Sequence, residues 1–301
     1  MNADLDTLAT ALYVTIDDAL AADPSLLPER PAVGIAPQLS DAELLTLAVL
    51  QALLGYTSEA RFLRYANERL RALFPYLPGR PAYNKRLRRS VQMMAAMIRL
   101  LASNCSSWWD DLWLVDSTPV ECGRSRETAK RSDLAGWASY GYCASHTRWF
   151  WGLRLHIVAT ASGLPVAFAL AGPKVDERDV ARDLLHTGPE HFVGQVVMAD
   201  KGYRSQDFDT FADASGITLV RPAMKNELPR PGQRFLRPFR QIIESVNQTL
   251  KAQLDLERHG GRTPAGVIAR VWQRMLALTA AIWHNENMGE PVLRSLVAYD
   301  H

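Results

Sequence analysis

The apolar residues of this chain change their spacing once, near residue 105, which limits the fold to a helical segment followed by a mixed α/β segment. Before that point the spacing is helical. Ser40-Asp41-Ala42-Glu43 has the form of a capping box, and Leu44, Leu45, Leu47, Ala48 and Leu50 follow on one stripe. Gly55 closes that helix, and a second is expected over residues 58–73, broken by Pro75 and Pro78. Pro81 suits the first turn of a third helix reaching residue 101. Residues 24–37, with four prolines, read as a surface connection after a first helix, and Asn104-Cys105-Ser106-Ser107 marks a boundary.

After the boundary the pattern shortens. Residues 112–115 form an apolar run stopped by Asp116-Ser117-Thr118-Pro119, which reads as a buried strand ending in a turn. Residues 149–160 suggest a longer strand, and Gly163 turns it into residues 164–170 as a hairpin. Helices are expected over 176–186 and 205–214, and strands over 195–199 and 217–220. The pattern is helical again over 238–257, and Thr263-Pro264 starts a last long helix. The expected organisation is a helical region, residues 1–105, and an α/β region, residues 106–290, with a mixed sheet covered on both faces.

Composition excludes several classes. A hydrophobic fraction of 48% suits a buried core rather than a disordered chain. No apolar run approaches the roughly 18 residues of a membrane span, and the acidic start lacks a basic signal region. The three cysteines form no C-x-x-C and cannot all pair, so the simplest compartment is a reducing cytoplasm. The net charge of +2 points to no polyanion, but the cations are clustered. Arg80–Arg89 contains no acid, and residues 221–240 hold six Lys/Arg against Glu227 alone. Nucleic-acid binding and solvated arginine faces both account for such stretches.

Three acids occupy positions that suit chemistry. Asp116 and Asp200 each follow an expected strand, and ligands of open α/β sheets bind at the carboxyl ends of parallel strands. Asp also leaves strands simply because it favours turns. At about 100° per residue, Arg240, Glu244, Asn247 and Lys251 fall on one helical stripe beside the apolar Ile243, Val246, Leu250 and Leu254. An exposed Arg240–Glu244 pair explains the same spacing. Three gathered carboxylates suit hard divalent cations such as Mg²⁺ or Mn²⁺, and a pair of such ions serves phosphodiester displacement.

The segments Leu112-Trp-Leu-Val-Asp116-Ser-Thr-Pro-Val, Ala199-Asp200-Lys-Gly-Tyr203 and Arg240-x3-Glu244-x6-Lys251 resemble the catalytic core of bacterial insertion-sequence DDE transposases. The nearest group is the IS nine-eighty-two branch, with the IS-four-like set second, and the resemblance covers residues 40–288. It implies an RNase H-like fold with Asp116, Asp200 and Glu244 as ligands of two Mg²⁺ or Mn²⁺ ions. It also implies cleavage at the ends of the element, attack of the freed 3′-OH on target DNA, and DNA contacts at Arg240 and Lys251. Many relatives carry a Tyr three residues before that Arg, where this chain has Arg237. The helical region is expected to bind double-stranded transposon ends or to form a homodimer, with Lys85, Arg86, Arg88 and Arg89 on DNA, in a cytoplasmic, nucleoid-associated protein. Two rival readings are a structure-selective nuclease with the same site but no strand transfer, and a domesticated, non-catalytic DNA-binding protein.

Other side chains read as structural. Asp176, Glu177 and Asp179 open a helix, where acids favour the positive end of its dipole. His146, His156, His186 and His284 lie in no metal-ligand spacing, and no phosphate-binding G-x-x-x-x-G-K-[ST] loop is present. Trp108, Trp109, Trp149 and Trp151 are expected in the core, although they suit base stacking too. Residues 121–146, with Arg124, Arg126, Lys130 and Arg131, suit DNA contact and solvation equally.

Overall fold

Ser40 caps its helix as its position predicts: its hydroxyl accepts from Glu43 N–H at 3.0 Å, and the Glu43 carboxylate accepts from Ser40 N–H at 2.6 Å. The computed structural model describes residues 5–29, 36–143, 147–187, 194–290 and 296, so His146 lies outside the described residues. It divides into two units, the described residues of Met1–Leu101 with Thr249–His301, and Ala102–Gln248. The expected boundaries at 105/106 and 290 therefore differ from the observed ones at 101/102 and 248/249. The long C-terminal helix joins the N-terminal helices because its apolar residues recur all round it, from Val271 to Ile282.

The first unit is helical: α1 (Leu5–Ala22), α2 (Asp41–Leu53), α3 (Glu59–Arg69), α4 (Arg80–Arg89), α5 (Val91–Ser103, whose last turn enters the second unit) and the long helix α10 (Pro264–Asn287). The third expected helix is thus two. At the break, the Ser90 hydroxyl donates back to Arg86 C=O at 3.0 Å, which competes with continuation of the ladder. Buried polar groups join the helices, with Tyr83 Oη donating to Gln51 at 2.9 Å and Gln273 Nε2 donating to Ala48 C=O at 2.8 Å. No helix among the described residues is long and apolar enough to cross a membrane.

The second unit is built on one mixed sheet of β1 (Leu112–Gly123), β2 (Ser139–Cys143), β3 (Arg148–Thr160), β4 (Pro165–Ala171), β5 (Val196–Ala199) and β6 (Thr218–Val220). Its order is β2-β3-β1-β5-β6, with β4 also paired to β3. Gly163 turns β3 into β4 with φ of 89°, a left-handed conformation that glycine adopts without strain. Strand β1 does not stop at Asp116 as expected. Its antiparallel pairing with β3 continues to Gly123, whereas its parallel pairing with β5 ends at Val115↔Ala199. On the β5 side nothing asks Pro119 for an N–H, so proline is tolerated inside the strand.

Helices α6 (Arg126–Arg131), α7 (Glu177–Thr187), α8 (Gln206–Ala214) and α9 (Leu236–Gln248) complete this unit. Val180, Ala181 and Leu184 of α7 and Phe208 and Ala212 of α8 pack on Trp113, Val115 and Val197. Side chains alternate across a strand, so Asp116 belongs to the other face, where α9 lies with Ile243 and Val246 buried. A mixed sheet of this order with helices on both faces, in a chain with a helical N-terminal region, is the RNase H-like arrangement the motifs imply.

Candidate active site

Register brings the two aspartates together. Val115↔Ala199 is the last parallel pair of β1 and β5, so the next residues, Asp116 inside β1 and Asp200 just past β5, lie side by side on strands about 4.8 Å apart. The backbone then fixes both carboxylates. Asp116 Oδ1 accepts from Ser117 N–H at 2.8 Å, and Asp200 Oδ1 accepts from Gly202 N–H at 2.6 Å. A Cβ on Gly202 would sit 2.9 Å from that Asp200 oxygen, so the Asp-Lys-Gly turn needs its glycine to hold the carboxylate this closely.

Helix α9 closes the site from the other side. Ile243 and Val246 anchor it, and the adjoining Asn247 donates from Nδ2 to Asp116 Oδ2 at 2.9 Å. Glu244 lies one turn away on the same stripe, but its carboxylate is half exposed and accepts from Arg240 Nε at 2.8 Å. The structure thus brings Asp116, Asp200 and Asn247 together, and pairs Glu244 with Arg240 instead. Among the described residues no three Asp, Glu, His or Cys side chains converge into a ready-made cation cage.

The electrostatics of Asp116 are those of an anion short of counter-charge. Burial of its carboxylate, with the charges of Asp200 and Glu177, raises its pKa from 3.8 to about 7, against the pull of Ser117 N–H and Arg240. Carboxylate oxygens side by side where the parallel pairing of two strands ends fit a hard divalent cation as donors. They would hold it without rebuilding the sheet, and the cation would supply the counter-charge Asp116 lacks.

Glu177 is the residue the sequence reading missed. Asp176 performs the capping expected of the acidic cluster, accepting from Arg178 N–H at 2.9 Å. Glu177 instead turns inward, 2.6 Å from Arg154 Nη1, and accepts from the Ser117 hydroxyl at 3.0 Å. Its Oε2 lies 3.4 Å from the Cβ position of Gly202, beside Asp200. The only available signal was redundancy, since three acids open a helix that needs one cap. Tyr203, of the same Asp-Lys-Gly-Tyr turn, is fully buried, and its hydroxyl has no hydrogen-bond partner among the described residues. Burial and the charges of Asp116, Glu177 and Asp200 keep it protonated. His156, opposite Ser117 on β3, is buried and held neutral by burial and Arg154, its pKa lowered to about 4.

The expected DNA-facing cations separate into two kinds. Lys85, Arg88 and Arg89 are exposed on α4. Arg86 is not: its guanidinium donates to Leu39 C=O at 2.7 Å and pairs with Asp41 at 2.6 Å, so it fastens the start of α2. Lys251 lies past Gln248, where α9 runs on into a π-type turn, Thr249–Gln253, that belongs to the first unit.

Residues 110–280 match the family model of the transposase DDE domain, which is more than half of the chain. No curated protein matches the chain.

Proposed function

As a member of the DDE transposase family, the chain carries out, we propose, metal-dependent cleavage at the ends of an insertion sequence and transfer of the freed 3′-OH into target DNA, using Asp116, Asp200 and Glu244. The observation that carries this reading is that Asp116 and Asp200 follow directly on the last parallel pair of β1 and β5, Val115↔Ala199. Order and spacing of the motifs support the IS nine-eighty-two-like branch.

Asp116, Asp200 and Glu244 would hold Mg²⁺ or Mn²⁺, which supplies Lewis-acid polarisation of a phosphate oxygen and an acidified water. The chain's own groups prepare the site. Asn247 and Ser117 N–H orient Asp116, and Gly202 N–H orients Asp200. Glu244 would join the aspartates as a ligand only by giving up Arg240. An exposed i, i+4 pair is worth only a few tenths of a kcal/mol, so the exchange costs little. Arg240, once released, is a cation beside the site suited to a DNA phosphate. Double-stranded DNA is the expected partner, with Lys85, Arg88 and Arg89 of α4 and Lys251 as further phosphate contacts, bound by a homodimer.

The test uses end-containing DNA and Mg²⁺. Wild-type protein should give both cleaved ends and joined products, while Asp116→Asn and Asp200→Asn lose cleavage by several orders of magnitude and still bind DNA. Glu244→Gln should lose cleavage as the aspartate variants do, and Arg240→Ala should weaken it without abolishing it. Cleavage near the wild-type level in either aspartate variant would overturn the assignment. Cleavage without any joined product would make the protein a nuclease instead.

A further inference from the structure

The hairpin of β2 and β3 has the wrong residues on its outer face for a surface ribbon. Tyr140 is paired with Trp151 and Tyr142 with Trp149, and residues directly opposite on antiparallel strands share a face. Phe150 and Cys143, on the opposite face, are buried, so that side supplies the core contact. The outer side should then be polar. Instead Tyr140, Tyr142 and Trp149 are 49%, 42% and 71% exposed. The rings of Tyr142 and Trp149 lie 5.3 Å apart, tilted by 56°. Contiguous exposed aromatics of this kind mark a contact surface.

Two observations name the occupant. First, the segment beside the patch is cationic. Gly123 lies against both Trp151 and Thr128, which places α6 next to this aromatic face. Residues 124–131 carry Arg124, Arg126, Lys130 and Arg131 against Glu127 alone. The ion pairs of Glu127 there span 3.7 to 3.9 Å and are exposed, so they compete weakly with a polyanion. Second, the ribbon is fastened to the candidate active site. Arg154 donates from Nη2 to Tyr142 C=O at 2.8 Å and from Nη1 to the hydroxyl of Ser117, the neighbour of Asp116, at 2.9 Å. A π-surface edged with cations is the design that binds single-stranded nucleic acid, because every base offers a stacking face and every nucleotide a phosphate.

We propose that the Tyr140–Tyr142–Trp149 face is a stacking site for unpaired DNA bases, set beside the strand-cutting centre. The inference rests on DNA being the partner, but not on which carboxylates cut it. The binding is sequence-tolerant, and paired bases do not occupy the face, because their π-surfaces are already stacked within the duplex.

The test measures the full-length protein against a short oligodeoxythymidine carrying one 2-aminopurine, and against a duplex of mixed sequence. Trp149→Ala should weaken single-strand binding by about five- to hundredfold, with loss of 2-aminopurine quenching. Tyr142→Ala should act in the same direction, and Trp149→Phe should retain most of the affinity, which separates stacking from misfolding. Duplex affinity should change by less than about twofold. Asp116→Asn should bind the oligonucleotide as wild type, so a failure of the cleavage assignment and a failure of this one remain distinguishable. Wild-type single-strand affinity in both alanine variants would overturn the proposal. So would a change of oligomeric state in Trp149→Ala at unchanged affinity, which would make the face a protein interface.

Discussion

Asp116→Asn is expected to make the metal-free protein more stable at pH 8 while destroying its activity. The Asp116 carboxyl has its pKa raised from 3.8 to about 7, first by burial and then by Asp200 and Glu177. At 1.36 kcal/mol per pKa unit, ionising it in the folded state costs about 4 kcal/mol at the upper end, and its partial exposure trims that. The folded state keeps a proton that the unfolded chain has already released between about pH 4 and pH 7. Stability therefore falls as pH rises through that window and stays low above it. Asparagine removes the charge but leaves one acceptor to serve both Ser117 N–H and Asn247, a loss of about 1 kcal/mol. The net gain at pH 8 is about 2 kcal/mol, or about 4–8 °C in Tm for a unit of this size. Near pH 4 the gain should vanish or reverse. Thermal unfolding of both proteins in EDTA from pH 4 to pH 8.5 reads this directly. Added Mg²⁺ should raise the Tm of the wild type far more than that of the variant. An equal Tm difference at every pH, or no gain at pH 8, would refute the charge-based account of Asp116.

Two further expectations concern residues whose roles the structure separates. Arg86→Ala should cost about 2 kcal/mol of stability, because it strips the paired Asp41 and two carbonyls at the start of α2; Arg88→Ala with Arg89→Ala should leave Tm unchanged, weaken DNA binding and flatten its salt dependence, as a salt titration would show. Glu177→Gln removes a like charge facing Asp116, so the pH window in which stability falls should move to lower pH, and cleavage should decrease through loss of the Arg154 and Ser117 contacts; an unmoved pH profile would make Glu177 a surface acid.

How much of this was legible in the chain follows from what each feature depends on. The parallel pairing of the strands that carry Asp116 and Asp200 could be read because each apolar run is a local signal, and two such runs separated by a helical crossover return parallel. The length of β1 could not be found, because only pairing with β3 keeps Asp116–Gly123 extended after the apolar run stops. Arg86 reads like its neighbours, and its difference comes from residues 39–41, far away in the chain. Glu177 reads as one of three helix-opening acids until α7 docks beside Ser117 and Arg154. The membership of α10 in the N-terminal unit is likewise set by packing, since its own sequence says only that it is buried on most sides. Aromatic content did not reveal exposure: Trp108 and Trp151 are buried as expected, while Trp109 and Trp149 stand out in solvent.

The most direct test of the central assignment is the anomalous scattering of Mn²⁺ in crystals of the protein bound to end DNA. The account predicts metal density ligated by Asp116 and Asp200 where the parallel pairing of β1 and β5 ends, with Glu244 turned from Arg240 to complete the ligand set. Manganese bound away from the two aspartates would contradict it. So would manganese held by Asp116, Asp200 and Glu177 with Glu244 still on Arg240, which would transfer the third role to the carboxylate on α7.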